Sequence, residues 1–547
     1  MLVPRDNLGG ITDMKYDRIY YNGVIRTMDA DRSVVSAIGV KDGKIAFLGD
    51  DAQAAALEAE AKTDLGGSLM LPGFTDSHLH MLNYAFVKQS YQMSGTASIA
   101  EIIAHGREMA EKMKDEPAEN WIYGRGWNES NFTDEQRPLD RFDLDKISTE
   151  RPILFIRVCG HKAAVNTKGL EIVMGLKQTA DYIEQIDQEK GVLTEASIKL
   201  CYDAMNEPTV DKIKEMILAA QKDINAHGIT GVDSDNFLSL PGRKSAGIIK
   251  AYKELEAEGK LTLRVREQAS FTAFEHMKAF IDAGYRTNDG GDFYKIGPVK
   301  LYEDGSLGAR TALMNEPYMG TDECGTAVHD KEDLENLVDY AYKNGMQLLI
   351  HAIGDKASDM VCDAYIKAIE KYGRRDSRLA INHLQIVSDD LFDKMKEYGI
   401  LAFIQPVFVA SDKGIVAGLT GEGPAARSYM WKTMLDKGLV CCGGSDAPVE
   451  SFDVLENIQI AVTRDKIGEV TDGWHPQEKL TVDEAVSLFT TGNAYEAFEE
   501  DIRGSLEVGK LADMTVLDRD IFETDPHEIT KAVVLKTIVG GREVYSK

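Results

Sequence analysis

The stretch PGFTDSHLHM, Pro72–Met81, sets two of the chain's eleven histidines one residue apart, directly after a Pro-Gly turn. In an extended strand successive side chains alternate faces, so His78 and His80 point one way and Leu79 the other. Two imidazoles on one face of a strand can share a metal ion. Taken alone, an HxH pair is more often packed or solvated than liganding, so the other strand ends must decide the reading.

Seven further apolar runs follow this one: GITGVDS, LTLRVREQAS, YKIGPVKLYEDG, MQLLIHAIGD, RLAINHLQIV, ILAFIQPVFV and GLVCCGGSDAP. Between them lie amphipathic stretches such as KEDLENLVDYAYKN and DDLFDKMKEYG, with apolar residues three and four apart. That pattern marks repeated βα units around a parallel sheet. Eight such units predict an α/β fold, a closed (β/α)8 TIM-like barrel over residues 72–502. The stretch 82–227 is too long for a βα loop and is expected to contain a lid or cap insertion with helices of its own. Both chain ends read as short antiparallel strands, RIYYNGVIRTM and SAIGVKDGKIAFLG at one and LADMTVLD and AVVLKTIVGGREVY at the other. Residues 1–71 and 503–547 are therefore expected to form a small composite β-sandwich domain.

Composition narrows the function. With 62 Lys and Arg against 90 Asp and Glu, the net charge of −28 disfavours nucleic acid and acidic membrane surfaces as partners. The six cysteines include no C-x-x-C pair, and neither a secretory signal nor a bilayer-length apolar run is present. A cytoplasmic protein acting on a small molecule is the expectation, with a homodimer as one assembly open to it.

In a barrel of this kind the active site lies at the C-terminal ends of the strands. Strand one carries His78 and His80 there. Strand four carries Lys300, with Tyr302 and Asp304 on the same face; strand five ends at His351, strand six at His383 and strand eight at Asp446. Four imidazoles and a carboxylate converging on one mouth suit zinc and neighbouring divalent ions.

These residues resemble the amidohydrolase superfamily, with HxH on strand one, a carboxylated lysine or glutamate on strand four, histidines on strands five and six, and an aspartate on strand eight. The segments GRGWNES, GHKAAVNTKGL, DGSLGART and the run from Trp474 to Asp518 are similar to its YtcJ-like branch, which includes N-substituted formamide deformylases. The resemblance implies one or two divalent ions, zinc first, held by His78, His80, Lys300, His351, His383 and Asp446. It also implies hydrolysis of a non-peptide C–N bond (amide, formamide or N-acyl) of a small molecule by a metal-activated hydroxide, with Asp446 as general base and then acid. A deaminase or cyclic amidase, or a non-catalytic metal-binding regulatory protein, are the alternatives on the same scaffold. Lys300 can be a ligand only as a carbamate; otherwise it is a barrel lysine paired with Asp304 or another carboxylate, and the site is mononuclear. His161, Arg310, Trp127 and Gln405 are candidate substrate contacts, each with a packing or ion-pair role as its alternative. The histidines at 105, 227, 276, 329, 475 and 527 fall outside the pattern and read as structural or solvated.

Overall fold

The computed structural model describes residues 14–242 and 245–547; the N-terminal segment read above for a secretory signal lies largely outside the described residues. The chain divides into two compact units. One comprises Met1–Met81, Leu218–Asn236 and Tyr252–Lys547, the other Leu82–Ile217 and Phe237–Ala251. The expected insertion ended at residue 227. In the structure residues 218–236 belong to the first unit because they complete a helix and form a barrel strand, while 237–251 belong to the second.

The first unit contains eight parallel strands: β1 (Phe74–Leu79), β2 (Ile229–Ser234), β3 (Arg264–Ser270), β4 (Tyr294–Tyr302), β5 (Leu348–Ala352), β6 (Ala380–His383), β7 (Leu401–Ile404) and β8 (Cys441–Gly443), each paired with the next. Helices between them follow the apolar spacing. Lys331–Lys343 starts on the Asp330 side chain, which accepts from the Asp333 amide, and buries Leu334, Leu337, Val338, Ala341 and Tyr342. Leu391–Tyr398 stops at Gly399, whose left-handed φ of +69° supplies the C-terminal turn. Among the described residues no helix is long and apolar enough to cross a membrane.

The first apolar run is two strands rather than one. Leu69–Pro72 pairs with Met514–Leu517 in a six-stranded sheet built from both ends of the chain, and Phe74–Leu79 enters the barrel. Gly73 makes the break: a Cβ there would lie 2.3 Å from the Thr230 side chain. Beside that sheet a second, four-stranded one orders Lys44–Gly49, Ala37–Lys41, Tyr16–Tyr21 and Ala59–Asp64. Tyr20, Ile25, Ile38, Met70, Met514, Val516 and Ile538 share one core drawn from both termini. These sheets and the barrel lie in the same compact unit.

The barrel closes between β8 and β1 through backbone bonds just beyond the strands. The Asp446 amide donates to the His78 carbonyl and the His80 amide to the Ala447 carbonyl, both at 2.7 Å. Asn493 reinforces the seam, its Nδ2 donating to the Thr75 and Gly443 carbonyls. Deeper in the barrel, Arg266 donates to Asp233 at 2.7 Å, to both oxygens of Glu496 at 2.9 Å and to Gln347 at 2.8 Å, all buried.

The second unit holds a six-stranded sheet in the order Ile186–Asp187, Val192–Thr194, Lys162–Val165, Ile153–Arg157, Ile122–Trp127, Tyr91–Gln92. Both of its faces are apolar. Leu154 and Ile156 pack with Leu170, Val173 and Leu200 on one side; Ile153 and Phe155 pack with Ile99, Ile102 and Leu144 on the other. The insertion therefore has its own sheet as well as the expected helices.

Removing the Arg266 charge strands two buried carboxylates. Arg266→Met is expected to cost about 3–5 kcal/mol, read as a lower urea midpoint for the barrel transition. A loss below about 1 kcal/mol would show that Asp233 and Glu496 are satisfied without it.

Candidate metal centre

His78 and His80 present their Nε2 atoms to one oxygen of Asp446, at 3.2 and 3.0 Å. Their opposite nitrogens are fixed by hydrogen-bond acceptors. Nδ1 of His78 donates to Gln268 Oε1 at 2.6 Å and Nδ1 of His80 to the Asp235 carbonyl at 3.1 Å. A ring nitrogen that faces a carbonyl oxygen carries the proton, so in the neutral ring Nε2 is the atom left to coordinate an ion, and it binds the Asp446 oxygen itself only as a protonated donor. Gln268 is itself held, its Nε2 donating to the Ser77 carbonyl at 2.8 Å. Among the described residues, His78, His80 and Asp446 form a group whose ligand atoms are close enough together to hold a metal ion.

The remaining strand-end residues gather around it. The His78 and His383 ring centroids are 5.8 Å apart, and those of His383 and His351 4.4 Å. In the β5–β6 register His351 stands opposite Asn382, and strand alternation would send the next side chain, His383, to the other face. A φ of +83° at His383 breaks that alternation and turns the ring back beside His351. Asp446 is likewise left-handed, with φ +61°. Such backbone costs of order 1–3 kcal/mol each and persists where the surroundings hold it.

His383 closes a ring of three hydrogen bonds. Its Nδ1 donates to Gln405 Oε1 at 2.8 Å, Gln405 Nε2 donates to Asn382 Oδ1 at 3.0 Å, and Asn382 Nδ2 donates to His383 Nε2 at 3.0 Å. Gln405, a candidate substrate contact, thus spends both ends of its amide on orienting His383. The Nε2 of His351 donates to the Gly305 carbonyl at 3.0 Å, which leaves Nδ1 with the lone pair.

Lys300 is fully buried and its Nζ has no hydrogen-bond partner among the described residues. The expected alternative, a pair with Asp304, is not formed. Asp304 instead accepts from the Leu313, Ile353 and Gly354 amides at 2.8–3.0 Å. Burial pulls the Lys300 amine down to about 8 despite the nearby carboxylates of Asp235, Asp446 and Asp304.

Electrostatics follow the same geometry. Burial and the Lys300 charge lower His78, and burial with the adjacent His351 lowers His383. At His80 burial works the other way from the Asp446 hydrogen bond and the Asp235 charge, which together raise it. Burial would raise Asp446; its two imidazole hydrogen bonds hold it well below the usual carboxylate range.

The other candidate contacts lie as follows. Trp127 is fully buried in the core of the second unit, its Nε1 donating to the Phe155 carbonyl at 3.2 Å. A bulge at Gly126 moves it to the face opposite Tyr123. His161 is exposed and its Nδ1 bonds Glu195 at 3.0 Å. Arg310 is exposed with φ +58°, and its guanidinium has no partner among the described residues.

Asp235 and Gln268 are absent from the sequence-derived set. Asp235 accepts from Ser270 Oγ at 2.5 Å and from the Tyr302 hydroxyl. It stands at the C-terminal end of the second strand run, in GVDSD, so the strand-end criterion applies to it as it does to His351.

Comparison with known proteins agrees with this geometry. A model described as "Amidohydrolase family" matches residues 62–545. The YtcJ protein of Bacillus subtilis strain 168 is 33% identical over 97% of this chain and 99% of its own. The N-substituted formamide deformylase of Arthrobacter pascens is 26% identical over 97% and 98%. A crystal structure of an uncharacterized metal-dependent hydrolase from Pyrococcus furiosus superposes with a TM-score of 0.78 at 28% identity, covering 92% of this chain and all of that one. The chain belongs to the amidohydrolase family, in its YtcJ-like branch.

Proposed function

We propose that the protein is a zinc-dependent hydrolase of a non-peptide C–N bond in a small amide, formamide or N-acyl compound. The observation that carries this reading is the convergence of both Nε2 atoms on one Asp446 oxygen, with the tautomer of each neutral ring preset by Gln268 and the Asp235 carbonyl. Neutral imidazole and carboxylate donors in that arrangement fit a divalent ion of the zinc type. The bond type is supported by the Arthrobacter relative, whose name gives it N-substituted formamides as substrates.

His78, His80 and Asp446 would hold one ion, and His351 and His383 a second, with Asn382 giving way at His383 Nε2. Lys300 would join them as a carbamate, an anion with two oxygens. Its unpartnered, buried Nζ fits that role: a lowered amine offers more neutral nitrogen near pH 7 than an exposed lysine. Addition of carbon dioxide to the neutral amine, with loss of one proton, turns an orphaned cation into an anion. A divalent ion in this site supplies a water of pKa about 7 and a Lewis acid for a carbonyl oxygen. Asp446 would take the proton from the attacking water and hand it to the departing nitrogen. Arg310, exposed and without a partner among the described residues after β4, would supply a guanidinium for a substrate carboxylate.

Asp446→Asn is expected to lower kcat by about 10²–10⁴-fold, the range for a lost general base, in protein whose zinc content is measured alongside. Release of formate or carboxylate together with amine identifies the bond; ammonia release without a carboxylate would point to deamination instead. Unchanged turnover in Asp446→Asn would remove the base assignment.

Gln268→Leu leaves the His78 Nδ1–H without its acceptor. A loss of about 10–100-fold in zinc affinity is expected, measured by competition with a chelating dye.

For Lys300, protein reconstituted with zinc and ¹³C-bicarbonate should show a carbamate carbon resonance that Lys300→Met lacks. Equal recovery of activity after rigorous removal of carbon dioxide would rule the carbamate out.

A further inference from the structure

We propose that the second unit carries its own binding site for a small monocarboxylate with an apolar body, seated on Arg125. Tyr123 and Arg125 are two residues apart on the strand Ile122–Trp127 and so share one face. Both line a cavity of about 360 Å³ with Phe86, Tyr202, Asp203 and Leu240, all within this unit. That volume suits a ligand of fragment size.

Arg125 is half-buried and its guanidinium has no hydrogen bond or ion pair among the described residues. Of the unit's other described arginines, four are held by hydrogen bonds or ion pairs, and Arg141 by a ring contact alone, its buried Nε without a hydrogen-bond partner among the described residues. Arg107 donates to the Lys146 carbonyl, Arg137 pairs with Asp143, Arg151 serves backbone carbonyls, Arg157 pairs with Glu129, and Arg141 lies over the Phe142 ring. A guanidinium set in a cavity with five donors and no acceptor matches a carboxylate, which it binds through two parallel hydrogen bonds.

The surroundings set the rest of the ligand. Phe86 and Tyr123 have ring centroids 5.0 Å apart, and Tyr123 and Tyr202 6.0 Å, giving an aromatic wall. The two phenols bond each other at 3.0 Å and feel the Arg125 charge, which places that charge beside the wall. Asp203 is exposed and carries no partner of its own among the described residues. Its charge disfavours a dianion, so inorganic phosphate is a poor occupant and a monocarboxylate a good one.

The test is calorimetric titration of the full-length, zinc-loaded protein with phenylacetate, with the neutral phenylacetamide as control. Phenylacetate is expected to bind at least tenfold more tightly than the amide, to keep its affinity after zinc is removed by chelation, and to lose at least tenfold in Arg125→Gln. Asp203→Asn, at an exposed position, should tighten phenylacetate two- to threefold. Equal binding of acid and amide, unchanged affinity in Arg125→Gln with Asp203→Asn also silent, or binding that vanishes with the zinc would each overturn the proposal. The carboxylate could belong to a substrate or to a separate ligand, and this arm rests on the proposed hydrolysis. Arg125→Gln raises KM for N-formylphenylalanine but not for N-benzylformamide in the first case, and leaves both KM values alone in the second. The calorimetry stands whether or not either compound is hydrolysed.

Discussion

The centre depends on two backbone hydrogen bonds that close the barrel, Asp446 N–H to the His78 carbonyl and His80 N–H to the Ala447 carbonyl. They tie the end of β1 to the chain just after β8. Because the donors and acceptors are the main chain of His78, His80 and Asp446 or its immediate neighbour, closing the barrel and assembling the site are one structural event. The side-chain geometry follows. With both backbones pinned, the two Nε2 atoms and the Asp446 oxygen come within 3.2 Å without either histidine leaving the face that strand alternation assigns it. Asn493 holds the same seam one step deeper, so strain at the mouth is resisted by buried amide hydrogen bonds.

Strand-end chemistry was the legible part of the sequence. His78, His80, Lys300, His351, His383 and Asp446 could be placed because a parallel βα repeat fixes which end of each strand faces the site, and their side chains are conspicuous in apolar runs. What supports them was less legible. Gln268 sits inside REQAS, where an amide among other polar residues signals neither metal nor catalysis; its meaning appears only when His78 is seen 2.6 Å away. Asp235 obeys the strand-end rule, yet its work is done by a backbone carbonyl, which no side-chain pattern encodes.

Departures from regular backbone were also invisible to periodicity. Simple alternation places His383 away from His351, and only the left-handed φ at His383 brings the two rings together. The bulge at Gly126 has the converse effect on Trp127, sending a residue from the GRGW stretch into an apolar core. In both cases one residue's φ decides which face a side chain takes, and a pattern of period two carries no record of it. The run LMLPGFTDSHLH failed differently. It is continuous in hydrophobicity, and its division between two sheets falls at Gly73, where a Cβ would meet the Thr230 side chain at 2.3 Å.

The partners chosen for the imidazoles also shape the charge of the site. His78 and His383 both donate to the amide oxygen of a glutamine, and His80 and His351 to main-chain carbonyls. Each acceptor fixes a tautomer as firmly as a carboxylate would, but none adds a full negative charge to a buried pocket that already holds Asp446, Asp235 and Asp304. Four carboxylates in those places would make the metal-free barrel hard to fold and would raise every histidine toward its protonated, non-liganding form. Neutral acceptors orient each ring without adding charge, and they leave Asp446 as the anion that both His78 and His80 face.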